Sequence, residues 1–137
     1  MARIEHVEID SADLNQGFEK FAQHLKQNGL SWPQLLASAF ADGKTSMVLA
    51  CDGEWLDALL RTLKQAKDLR RQRETSSSVS LTCYGGVSSD LPLRALQTLA
   101  QHGIVADQYV SSAHSVNLFV PVSAREAAVR ALHSLIR

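Results

Sequence analysis

One pattern constrains this chain more than any motif does. A strand, a helix, a two-stranded hairpin and a second helix are signalled in order, and the same order then recurs. In the first pass, ARIEHVEI alternates through Ile4, His6 and Glu8 as a strand. LNQGFEKFAQHLKQNG then sets Phe18, Phe21, Ala22 and Leu25 at helical spacing, with Asp10, Ser11 and Asp13 available as caps and Gly29 as the stop. LSWPQLLASAF, the turn ADGK and TSMVLAC make a hairpin. DGEWLDALLRTLKQA closes the pass with Trp55, Leu56, Leu59, Leu60 and Leu63 on one face and Asp52 as cap. In the second pass, SVSLTCY alternates through Val79, Leu81 and Cys83. LPLRALQTLAQHG carries Leu91, Ala95, Leu96 and Leu99, with Pro92 near the first turn and Gly103 as the stop. DQYVSSAHSVNLFVPV is the second hairpin, and SAREAAVRALHSLIR ends with Ala128, Ala131, Leu132 and Leu135 on one face behind Ser123 as cap.

This predicts an α+β chain of two ferredoxin-like modules, βαββα repeated, each an antiparallel sheet with helices on one face. The expected modules are residues 1–74 and 75–137, joined through KQAKDLRRQRETSSS. Each module has a sheet edge that is costly to leave bare, so a homodimer or higher assembly is expected.

Composition excludes several function classes. Lys plus Arg and Asp plus Glu number 14 each, so no net field draws the chain to nucleic acid or an anionic membrane. The basic run Lys64, Lys67, Arg70, Arg71 and Arg73 lacks interleaved aromatics and reads as a solvated linker or polar edge strand. Its longest apolar run, Met47–Cys51, is far too short to span a bilayer, and MARIEHVEID lacks a signal-peptide core. Cys51 and Cys83 read as small thiols of a reduced, cytoplasmic protein. The histidines (His6, His24, His102, His114 and His133) form no close ligand pair, and no metal or other cofactor is expected. His114 sits among Ser111, Ser112 and Ser115 without a nucleophile elbow or a placed carboxylate, so it reads as a polar hairpin tip. No phosphate cradle is present, and the chain is expected not to be an enzyme.

The repeated βαββα order, with helices ending in QNGLS and QHGIV, resembles the ACT domain. LQTLAQHGIVADQYVSSAHSVNLFVPVSAREAAVRALHSLI is similar to the C-terminal ACT module of aspartokinases. The resemblance implies regulation: a tandem pair that binds lysine or threonine and acts on a kinase domain, either as a stand-alone protein or as the regulatory end of a longer one. It also implies a site at the loop between the first strand and first helix, SADLNQGF, with Asp13, Leu14, Gln16, Gly17 and Phe18 around the effector. The effector's carboxylate is expected on backbone N–H groups there. Relatives hold the ammonium with an aspartate in the second strand. Here Trp32, Pro33 and Gln34 stand at that place, leaving Gln34, Ser38 or a carboxylate of a facing subunit as the expected partner. The second module reads VSSDLPL at the matching loop, without a glycine. The other reading is a degenerate ACT pair that keeps its dimer surface and binds no ligand.

Overall fold

The computed structural model describes residues 3–72 and 75–136. They form two compact units, residues 1–75 and 76–137, each an α+β ferredoxin-like arrangement. Unit 1 contains β1 (Arg3–Asp10), α1 (Leu14–Gln27), β2 (Gln34–Ala41), β3 (Lys44–Cys51), α2 (Gly53–Gln65) and β4 (Leu69–Arg71). Unit 2 contains β5 (Ser76–Thr82), α3 (Leu91–Gln101), β6 (Gln108–Ser111), β7 (Ser115–Pro121) and α4 (Arg125–His133).

In unit 1, β3 lies between β1 and β2 and runs antiparallel to both, with Ile9 opposite Thr45 on one side and Phe40 opposite Thr45 on the other. The turn between β2 and β3 needs two residues of positive φ, which Asp42 (52°) and Gly43 (76°) supply. Alternation then decides the faces. Val7 and Ile9 of β1 join Met47 and Leu49 of β3 against Phe21 and Leu25 of α1 and Leu59 of α2. In unit 2, β7 pairs with both β5 and β6. Val79, Leu81, Val116, Leu118 and Val120 meet Ala95, Leu99, Ala128, Ala131 and Leu132, and the alanines let α3 and α4 lie close to the sheet. Gly29 and Gly103 end α1 and α3 at φ 67° and 73°.

One open alternative is decided, and two details differ from the sequence reading. The linker contains β4, which pairs with β1 through Val7–Arg71, Glu8–Arg70 and Ile9–Leu69. Its arginines are neutralised by β1, so a basic stretch becomes a strand; Arg73 lies outside the described residues. Ser123 does not cap α4, because a 3-10 turn over Val122–Ala124 precedes the helix and Ala124 takes the cap position. Leu96 is not core: it lies on the outer flank of α3, 37% exposed.

Candidate functional site

The start of α1 is where most of the expected site residues gather. Asp13 is in extended backbone and its carboxylate accepts from the Gln16 N–H at 2.7 Å, a side-chain cap. Gln16 Oε1 in turn accepts from the Ala12 N–H at 2.6 Å, so the loop and the first turn lock each other. Gly17 is buried against β3: a Cβ there would lie 2.1 Å from Thr45 Oγ1. Only glycine lets the helix come this close. Thr45 Oγ1 donates to the Asp13 carbonyl at 3.4 Å and contacts Ser11 Oγ at 2.8 Å, which makes Ser11 the donor of that second bond. Leu14, 41% exposed, is at the open side of the helix start.

The remaining expected residues are elsewhere. Phe18 turns to the helix flank and stacks on Trp32 at 5.6 Å, while Phe21 meets the same indole edge-on at 5.5 Å. Trp55 Nε1 donates to the Ser31 carbonyl at 2.9 Å, so two tryptophans pin the chain between α1 and β2. Gln34 is exposed and opposite Ala50, at the far end of β3 from Thr45. Ser38 is opposite Met47, on the helix side of the sheet and two positions from Thr45 along β3. The structure thus brings Asp13, Gln16 and Gly17 together with Ser11 and Thr45, and does not bring Gln34 to them.

Sequence reasoning missed Thr45. A signal existed: Gly17, Phe21 and Leu25 recur at i, i+4 and i+8, and Thr45, Met47, Leu49 and Cys51 alternate, so Gly17 and Thr45 each belong to an inward row. It also missed the glycines of the corresponding loop in unit 2, where Gly85 and Gly86 have φ of 84° and 105°.

Beside the helix start runs a charged network. Arg70 donates to both oxygens of Asp10, at 3.0 and 2.7 Å, and through Nε to Glu8 at 3.0 Å. That arginine, through its hydrogen bonds above all, holds the Asp10 carboxyl below its ordinary value. Lys44 approaches Glu8 at 3.8 Å. Glu5 is fully buried and faces Arg71 Nε at 2.8 Å. Cys51 is buried, and its thiol is pushed up to about 11, by burial first and then by Glu5 and Asp52.

The histidines are dispersed. His24 meets Asp68 at 2.8 Å, His102 Nδ1 the Thr98 carbonyl at 2.9 Å, and His114 Nδ1 the Cys83 carbonyl at 3.4 Å. Among the described residues no group of three or more metal-ligating side chains is assembled, and no helix is long and apolar enough to cross a membrane.

Solved structures share this architecture. The ligand-free regulatory subunit of aspartate kinase from Thermus thermophilus superposes with a TM-score of 0.67 at 21% identity, over 99% of this chain and 93% of that one. The fold is shared. The regulatory subunit from Thermus flavus gives 0.66 at 21% identity, over 100% and 94%. The Clostridium acetobutylicum aspartate kinase gives 0.63 at 14% identity, over 97% of this chain, which spans 32% of that kinase. No family model matches the chain, and no curated protein matches it.

Proposed function

We propose that the chain is a regulatory module of the ACT type, which binds an amino-acid effector and conveys its presence to a kinase catalytic domain or subunit. The observation that carries this reading is the match over nearly the whole length of two aspartate kinase regulatory subunits. The effector's carboxylate sits at the start of α1, where the first N–H groups of a helix point outward at its positive end. Asp13 and Gln16 hold that loop, Leu14 borders it, and Gly17 and Phe18 fix the helix behind it. Ser38 or a carboxylate of a facing subunit takes the ammonium, since Gln34 lies at the far end of β3. Lysine or threonine is the effector class, bound about tenfold or more weakly than by a site with a carboxylate partner.

A second reading, a pairing module without ligand, has its own support. β2 reads QLLASAFA, eight residues without a charge, and among the described strands it pairs only with β3. Such an edge is a template for another chain. In both readings a homodimer forms along β2.

Calorimetric titration of lysine, threonine and methionine separates the two. Under the effector reading, lysine or threonine gives saturable heat that Leu14→Trp removes. No heat from any of the three, with a dimer in sedimentation that Ala39→Lys dissociates, establishes the second reading instead.

A further inference from the structure

Unit 2 holds a cavity of about 330 Å³ between β5 and α4, at the small end of the range of ligand sites. Arg125, Val129, Leu132 and His133 reach it from α4, at the i, i+4, i+7, i+8 spacing that puts them on one helix face. Ser78, Val79, Ser80 and Leu81 come from β5.

The charge of this cavity is one-sided among the described residues, although Ser78 and Ser80 add neutral hydroxyls. Arg125 Nε is buried from solvent and has no hydrogen-bond partner. Arg70 and Arg71 of unit 1, by contrast, are matched to carboxylates. A guanidinium N–H left buried without an acceptor is unfavourable, and a charged acceptor is the strongest remedy. Arg125 also opens α4, where the helix end favours an anion. Among the described residues no aspartate or glutamate lines the cavity, so none of them would hold an ammonium by charge. Val79, Leu81, Val129 and Leu132 give the wall an apolar part, and Ser78, Ser80 and His133 are its other polar residues.

We propose that this cavity is a binding site for a small aliphatic carboxylate, with the carboxylate on Arg125 and the alkyl group against Val129 and Leu132. The site is separate from the start of α1 and independent of whether an amino acid binds there. Its chemistry selects a simple anion over a zwitterion, because the donors are present and the anionic acceptor is not.

The test is an amide-resolved NMR titration of the whole chain with butyrate, with butanol and inorganic phosphate as comparisons. Butyrate should produce saturable shifts at residues 78–81 and 125–133. Arg125→Met should weaken binding about tenfold or more while leaving the spectrum dispersed, since Nε has no partner to lose. Arg125→Lys should retain part of the affinity, and Val129→Trp should abolish it by filling the space. Absence of saturable shifts with butyrate overturns the proposal. So does unchanged affinity in Arg125→Met, butanol binding as well as butyrate, or phosphate binding as tightly as butyrate.

Discussion

The first helices of the two units begin differently, although each follows the first strand of the same βαββα order. Three residues, Ser11 to Asp13, lead into α1, and each is engaged: Ser11 on Thr45, the Ala12 N–H on Gln16, and the Asp13 carboxylate on the Gln16 N–H. The lead into α3 is longer and turns through Gly85 and Gly86, with Tyr84 97% exposed beside them. Asp90 already has helical backbone there and makes no side-chain cap; its carboxylate accepts from Ser88 Oγ at 2.9 Å instead. The same fold is therefore held by side-chain packing at one helix start and by glycine conformations at the other. Charge follows the same division. Unit 1 pairs the arginines of β4 with the carboxylates of β1 as ions, Glu5 Oε1 facing Arg71 without a well-aligned hydrogen bond, whereas unit 2 leaves Arg125 Nε without a partner.

The largest way to break this comparison is to remove a matched arginine. Arg71→Met leaves Glu5 buried without its partner and should destabilise the protein by about 3 kcal/mol in urea unfolding. Arg125→Met, which leaves no partner stranded, should change stability by about 0.5 kcal/mol or less. Equal effects of the two would refute the contrast in charge matching. Next in size is the packing at the helix starts. Gly17→Ala drives a methyl into Thr45 and should cost about 2 kcal/mol. Gly85→Ala has open space around it and bears only the backbone strain of positive φ, about 1 kcal/mol. A Gly17→Ala protein as stable as the wild type would mean that helix and strand do not approach so closely.

Much of this architecture is legible in the residues. Helical spacing, the ADGK turn and the glycine stops mark the helices and the first hairpin because each depends on local chemistry. β4 is not legible in that way. LRR reads as a solvated linker or a polar edge strand alike until it is known that Glu5, Glu8 and Asp10, 60 to 66 residues earlier, lie beside it. Ser123 looks like a cap because the 3-10 turn that displaces it is set by how β7 enters α4. In the site, the Asp13 cap follows from sequence alone. The distance of Gln34 from it follows from strand register, which pairs Gln34 with Ala50, and a two-residue change of register would not be visible in the composition of QLLASAFA.

The smallest effect concerns pH and sharpens the same comparison. Asp10 and Asp90 both titrate below the ordinary aspartate value, the first through Arg70, the second through the Ser88 hydroxyl. A folded-state value below the unfolded one means that folding favours the ionised form. The stabilisation is therefore complete above about pH 4 and disappears as pH falls through the lowered folded values. Carbon-detected NMR titration should show Asp10 returning toward its ordinary value in Arg70→Gln, while Asp90 stays low in Arg94→Gln because its main partner remains. Asp10 unchanged in Arg70→Gln would show that the pairing is not what lowers it.

The central proposal is that unit 1 carries an amino-acid site at its locked helix start. Amide-resolved titration of the whole chain with lysine and with threonine tests that directly. The predicted result is a saturable response to one of them confined to residues 11–18 and the neighbouring β2 amides, lost in Leu14→Trp. A saturable response to either amino acid at other residues, with residues 11–18 unmoved, or no response to either, would contradict it.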